Sequence, residues 1–255
     1  MKNRVDEVFR RSGKIFIGYL TCGYPDDETT LEWADRVISA GFEILEIGLP
    51  FSDPVADGPV IELASQEALK RGMTPEKYLE IVSEIRKKHP DIPLITMSYY
   101  NPIARKGFKY IENLKKSGID GIIIPDLPLI EGENFYRKIN SLGIVTPMLI
   151  PPTIKGEYFK KLVKASSGFI YAVTRTGTTG ARDEIPPEGI ELFRRLKRET
   201  NKPVAAGFGI SRPQQLTSIK NLVDGFIIGS ALIKKLEEGE DIKNWLNWIK
   251  EGIKD

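Results

Sequence analysis

Cysteine and histidine are almost missing from this chain. One of each in 255 residues, Cys22 and His89, excludes an intramolecular disulfide and a cysteine-based zinc cluster. It also disfavours Ser-His or Cys-His nucleophilic chemistry. Cys22 sits between Thr21 and Gly23 with nothing beside it that would make a thiolate. His89 follows Lys87 and Lys88 and precedes Pro90, the pattern of a solvated helix end. No apolar run approaches the ~18 residues of a membrane span. Residues 1–11 read as a charged amphipathic turn without an apolar stretch, so a cytoplasmic location is expected. An excess of one charge is absent too. The formal net charge is +2, and no basic stripe with interleaved aromatics occurs, which argues against nucleic acid as a partner.

Hydrophobic residues make up 41%, enough for a sizeable core. Short β-rich runs at 14–20, 42–48, 93–98, 121–124, 144–150, 168–174, 203–206 and 225–228 alternate with longer segments of helical spacing. The helical segments cover 29–40, 75–88, 110–116, 132–141, 157–165, 188–199 and 212–219. Gly41, Gly118 and Gly143 stand where a glycine closes a helix. Strands joined by helical crossovers pair in parallel. Eight such units in ~250 residues predict an α/β fold, a single (β/α)8 TIM barrel over residues 1–255. Extra helices are expected at the N-terminus, after strand 2 (60–71) and after strand 8. A doubly wound open sheet is the competing architecture, but no early Gly-x-Gly-x-x-Gly turn supports it.

The run from Glu46 to Pro59 carries the most chemistry. Along a strand, Leu45, Ile47 and Leu49 share one side and Ile44, Glu46 and Gly48 the other, and neither side is regularly polar. Glu46 therefore falls among apolar neighbours at the end of a buried strand. A carboxylate there is paired, protonated or functional. Asp57 follows eleven positions later in a loop rich in proline and glycine. Read functionally, the two are a catalytic pair. Read structurally, Glu46 is an ion-pair partner and Asp57-Gly58-Pro59 a turn opening a helix.

Two long stretches follow strand ends, at 49–73 and 175–187, on the barrel face where sites are built. The second, with Gly177, Thr178, Thr179 and Gly180, has the length and composition of a lid. The last two strands end in Gly207-Phe208-Gly209 and Gly229-Ser230. Glycine lets backbone approach an oxyanion, and a helix N-terminus favours negative charge. Two such steps after strands seven and eight point to a phosphorylated small molecule.

At these residues the chain resembles the α subunit of tryptophan synthase over nearly its whole length. The resemblance rests on Leu45-Glu46-Ile47-Gly48 continuing through Pro50 to Pro59, on Tyr99-Tyr100-Asn101-Pro102-Ile103, and on Ile150-Pro151-Pro152-Thr153. Arg175 to Gly180 and Gly207 to Ser211 add to it. It implies cleavage of indole-3-glycerol phosphate to indole and glyceraldehyde 3-phosphate, without metal or organic cofactor in this subunit. It implies a pyridoxal-phosphate β subunit as partner, in an α2β2 assembly that passes indole internally. Carried over residue by residue, Glu46 matches the family's proton-transferring glutamate and Asp57 the carboxylate that holds the indole N–H. Tyr171 matches a substrate-facing tyrosine, and Thr179 the lid threonine expected to bond Asp57. Gly180, Gly209, Gly229 and Ser230 match the phosphate contacts. Tyr19, Ile61, Met97, Ile123, Phe208 and Ile227 are implied walls of the indole pocket. Asp53, Asn101 and Pro128 fall where the α subunit meets its partner. The chain departs from the family at Tyr19, where phenylalanine is common, and at Thr174 and Thr178 in the lid.

Two other functions fit the same barrel. A phosphosugar isomerase or an indole-forming synthase would place a lysine or paired aspartates at strand ends, and Asp126 is the nearest candidate. A non-catalytic regulatory subunit would keep the fold and only activate a partner.

Overall fold

Strand β1 (Ile15–Thr21) is buried along its whole length, as expected of a strand covered on both sides. The computed structural model describes residues 3–11, 13–173, 184–207 and 209–254. Before β1 comes α1 (Arg4–Phe9). After it the chain runs through α2 (Asp27–Ala40), β2 (Ile44–Gly48), α3 (Pro59–Lys70), α4 (Pro75–Lys88) and β3 (Leu94–Met97). Next come α5 (Tyr100–Lys106), α6 (Phe108–Ser117), β4 (Gly121–Ile123), α7 (Leu129–Ser141), β5 (Met148–Ile150) and α8 (Gly156–Ala165). The last part holds β6 (Ile170–Val173), α9 (Pro187–Glu199), β7 (Val204–Gly207), α10 (Pro213–Ile219), β8 (Gly225–Ile228), α11 (Ser230–Glu237) and α12 (Ile242–Lys250).

Every strand pairing is parallel, in the order β4-β3-β2-β1-β8-β7-β6-β5. The two ends meet at Gly121 and Val145. There Ile122 N–H donates to Val145 C=O and Val145 N–H to Asp120 C=O, each at 2.9 Å. The sheet thus closes into the expected (β/α)8 barrel, with α3 after β2 and α11 and α12 after β8 as additions. The open-sheet alternative falls. Local signals explain the helix limits. The Asp26 carboxylate accepts Thr29 N–H at 2.7 Å to start α2, and Gly41 at φ 101° ends it. Thr74 and Pro75 open α4 in the same way.

Two expectations need correction, and one helix lies where none was expected. The strand predicted at 144–150 is regular only from Met148. Pro147 has no N–H for the ladder, and serines from the next crossover serve the neighbours: Ser167 Oγ accepts Thr146 N–H at 2.7 Å and Ser166 Oγ accepts Met148 N–H at 3.0 Å. Helix α5 was not foreseen from its sequence. The Asp126 carboxylate accepts the N–H of Tyr100, its first residue, at 2.8 Å, a cap supplied from 26 positions away. His89 is not simply solvated. It ends α4 half-buried, with Nε2 2.6 Å from Asp35 Oδ1, beside the Lys88–Asp35 ion pair.

The N-terminal end of the barrel is plugged by α1. Val5 is fully buried, and Phe9 packs on Phe169 with ring centroids 5.3 Å apart. The Asn3 amide donates to Asp120 C=O at 2.7 Å and Gly143 C=O at 2.9 Å, across the β4–β5 closure. Buried Asp120 anchors the same corner. Its carboxylate meets Arg4 at 2.9 Å and Arg86 at 2.7 Å, and accepts Leu94 N–H at 3.1 Å.

Candidate active site

Nine residues at the opposite, C-terminal end of the strands line one small pocket that opens to solvent. They are Tyr19, Glu46, Asp57, Ile61, Met97, Tyr171, Ile227, Gly229 and Ser230. β1, β2, β3, β6 and β8 each contribute one or more, and the loop after β2 and the helix α3 supply Asp57 and Ile61. Parallel register sets the neighbours: Tyr19 on β1 faces Glu46 on β2, and Glu46 faces Ile95 on β3.

Glu46 is 1% exposed, and neither carboxyl oxygen has a hydrogen-bond partner among the described residues. A structural ion pair would show a cation here, and among the described residues none pairs with it. Burial, and then the charge of Asp57, push its pKa up to about 8. Asp57 is 7% exposed and immediately precedes Gly58, the N-cap of α3, so a helix start holds its backbone. Burial raises its pKa to about 6. The Tyr99 hydroxyl beside it pulls downward, and the charge of Glu62 on α3 adds a smaller upward push. Each acid feels the other unequally because Asp57 ionises first, while Glu46 is still neutral. At neutral pH the pocket therefore holds one carboxylic acid and one carboxylate, the division of roles that acid–base chemistry requires.

Tyr99 is the residue that sequence reasoning left without a role. Its hydroxyl accepts Ala56 N–H at 2.9 Å, and its ring lies on Phe51 at 5.3 Å, so one side chain ties down both ends of the loop that carries Asp57. Its place in the Tyr99-Tyr100-Asn101 motif was the available signal. Tyr78 from α4 braces β2 directly behind Glu46, donating to Ile47 C=O at 2.9 Å. Tyr171 on β6 is buried in the pocket against Gly207, where a methyl group would lie 2.2 Å from its ring.

Not every expected residue falls in this pocket. Ile123 is wholly buried on β4 and belongs to the barrel core, not to the pocket lining. Gly209 has φ 84° in the turn after β7 with open space where a side chain would stand; its C=O accepts from the Gln215 amide at 2.6 Å. Thr179 and Gly180, with the rest of 174–183, and Phe208 lie outside the described residues. Asp53, Asn101 and Pro128 are exposed, in the loop after β2, in α5 and at the start of α7. Asp126, the isomerase candidate, is spent on capping α5. Burial pushes the Cys22 thiol pKa far up, which keeps it unreactive. Among the described residues no three His, Cys, Asp or Glu side chains gather as a metal site would need, and no helix is long and apolar enough to cross a membrane.

Comparison with known proteins matches this geometry to one group. The family profile described as "Tryptophan synthase alpha chain" matches residues 6–252. The tryptophan synthase alpha chain of Thermoanaerobacter sp. (strain X514) is 40% identical over 98% of this chain and 99% of its own length. A tryptophan synthase structure from Mycobacterium tuberculosis superposes with a TM-score of 0.89 at 30% identity, covering 99% of each chain. A structure of the tryptophan synthase α2β2 complex of Pyrococcus furiosus gives 0.84 at 37% identity, covering 94% of this chain and 97% of that one.

Proposed function

This chain belongs to the tryptophan synthase alpha chain family, and from that premise we propose how its pocket does the family's chemistry. The reaction is the aldol cleavage of indole-3-glycerol phosphate to indole and glyceraldehyde 3-phosphate, a carbon–carbon lyase activity. The isomerase and purely regulatory readings fall with it.

In our reading Glu46 begins as the carboxylic acid and delivers its proton to indole C3. The ring becomes an iminium-like cation, and ionised Asp57 accepts the indole N–H and balances the charge. Glu46, now a carboxylate, removes the proton of the glycerol hydroxyl next to C3. The C–C bond breaks as the carbonyl of glyceraldehyde 3-phosphate forms, and its electron pair returns to the ring to give neutral indole. Glu46 ends protonated, as it started. The phosphate is read at Gly229 and Ser230, where the N-terminus of α11 has no side-chain cap among the described residues, and the family resemblance assigns Gly209 and Gly180 to the same ligand and Thr179 to Asp57. Tyr171, Tyr19, Ile61 and Phe208 hold the indole ring. The subunit works without an organic cofactor in this reading.

The observation that carries the assignment is the buried carboxyl of Glu46, without a partner among the described residues, in one pocket with a second acid. Its test is the pH dependence of turnover. The active form needs Asp57 ionised and Glu46 protonated, so kcat/KM is expected to be bell-shaped, with limbs near pH 6 and pH 8. A kcat/KM that keeps rising past pH 9 would show that protonated Glu46 is not the acid.

A pyridoxal-phosphate β subunit is the partner we propose, in an α2β2 assembly housed in the cytoplasm. The surface beside Asp53, Asn101 and Pro128 supports this reading. Val55 is 79% exposed two positions from Asp53, and Ile130 is 81% exposed two positions from Pro128. Large apolar side chains so exposed on the active-site face suit a docking surface. Ile130→Asp should weaken β-subunit binding, measured by calorimetry, by about tenfold or more. Unchanged affinity would move the interface elsewhere.

A further inference from the structure

Tyr19 carries a polar group that the scheme above leaves unused. Its ring starts at the phosphate end of the pocket and finishes at the reacting end. A methyl group at Gly229 would lie 3.6 Å from Tyr19 Cβ, whereas one at Gly48 would lie 2.1 Å from Tyr19 Oη. The absence of a side chain at Gly48 therefore makes the room that the hydroxyl occupies, two residues beyond Glu46 on the same strand face. The hydroxyl is buried. It accepts a long bond from Thr21 Oγ1 at 3.4 Å, and its own proton has no acceptor among the described residues.

A buried donor left unsatisfied is costly, so a group in the loaded pocket is expected to take it up. Two acceptors face the same space. Glu46 is neutral at pH 7 and Asp57 is charged, and a charged oxygen makes the stronger bond. The two pocket tyrosines also divide between the acids. Asp57 acts on Tyr19 more strongly than Glu46 does, and for Tyr171 the order is reversed. Asp57 has acceptor capacity to spare, since a carboxylate offers about four lone-pair sites and an indole N–H, the Tyr99 hydroxyl and, in the reading above, Thr179 fill only three.

We propose that Tyr19 is a positioning residue, whose hydroxyl donates to the Asp57 carboxylate in the loaded site and holds it toward the indole nitrogen. The proposal rests on the reading of Asp57 as the group that meets that nitrogen. Other ionisable groups facing Asp57 are Glu46 on β2, Glu62 on α3, Tyr99 after β3 and Tyr171 on β6. None of them is altered in a Tyr19→Phe variant, and phenylalanine keeps the ring.

The experiment is the pH profile of kcat for indole release, with the β subunit present, in wild type, Tyr19→Phe and Asp57→Asn. The kcat profile reports groups in the loaded site. Losing a donor to the carboxylate should raise the acidic limb of Tyr19→Phe by about one pH unit, a tenfold change in proton affinity, and lower turnover at pH 6 several-fold. An unmoved limb overturns the proposal, and with a raised KM it assigns the hydroxyl to the substrate instead. Full turnover in Asp57→Asn would instead overturn the reading of Asp57 itself. Loss of turnover in Asp57→Asn with an unmoved limb in Tyr19→Phe removes the Tyr19 proposal alone.

Discussion

Glu46→Gln is expected to lower indole release by about 10^3- to 10^4-fold, because one side chain makes both proton transfers and the amide can make neither. The shape and the burial are kept, so binding of the phosphorylated substrate should change little. The same substitution should act on stability in the opposite direction. The Glu46 pKa rises from an ordinary value near 4.5 in the unfolded chain to about 8 in the folded one. Between those values the folded state holds the proton more tightly. Stability from this group is thus fully present below about pH 4.5 and is lost as pH rises through about 8. The loss is on the order of 5 kcal/mol at its limit, at 1.36 kcal/mol per pH unit. A glutamine does not titrate. The stability difference between variant and wild type, read by urea unfolding, should therefore grow in favour of the variant from pH 5 to pH 8 and then level off. The amide still carries unpaired buried atoms, which offsets part of the gain. A flat difference across this range would mean that Glu46 is solvated or paired in solution. Active indole release by the variant would mean that the proton transfers belong to another group.

Asp120→Ala should be the most damaging single change to the fold outside the pocket, at about 3–5 kcal/mol. The reason is what it leaves behind. Arg86 is largely buried, and its guanidinium also donates to the backbone carbonyls of Gly118, His89, Pro90 and Ile92 at 2.7–3.2 Å. Those bonds hold the charge in place after its counter-ion is gone. Leu94 N–H at the start of β3 loses its acceptor as well. In a chain of this size such a loss lowers the melting temperature by roughly 10 °C. Arg4→Ala, at the other end of the same carboxylate, should cost no more than about 1 kcal/mol, since the Arg4 side chain is 39% exposed and solvent screens its charge. Equal losses in the two variants would contradict the buried-charge argument and point to the docking of α1 as the common cause. Indole release at low temperature should survive both, because the corner lies at the end of the barrel opposite the pocket.

The two predictions draw on different depths of reading. That Glu46 stands among apolar residues was legible from Ile44, Leu45, Ile47 and Leu49 around it, because strand periodicity leaves no polar side for it. Helix α4 was legible to both ends, 75–88, since Thr74 and Pro75 begin it and a basic last turn closes it. The short helix α5 was not, because its first N–H is capped by Asp126 from another crossover and no local pattern records that bond. The strand at 144–150 was overdrawn for a related reason. Its apolar residues are strand-like, but Pro147 breaks the ladder and serines of the next unit stand in for it.

What the sequence determined by itself is the set of elements and the polarity of their faces. Alternation of apolar runs with helical spacing demands parallel crossovers, and eight strands so joined make a barrel whose functional groups cluster at the strands' C-terminal ends. Tertiary structure decided the charges. Nothing within Glu46-Ile47-Gly48 separates an ion pair from a lone acid. That distinction depends on whether another strand brings a cation within reach, and among the described residues none does. Nor does spacing along the chain tell that the Tyr19 hydroxyl packs over Gly48 in the pocket that holds Asp57, or that Tyr99 fastens the loop carrying that carboxylate. Those contacts arise only when the sheet closes, because electrostatic strength depends on burial and distance in space, and neither is written in the order of residues.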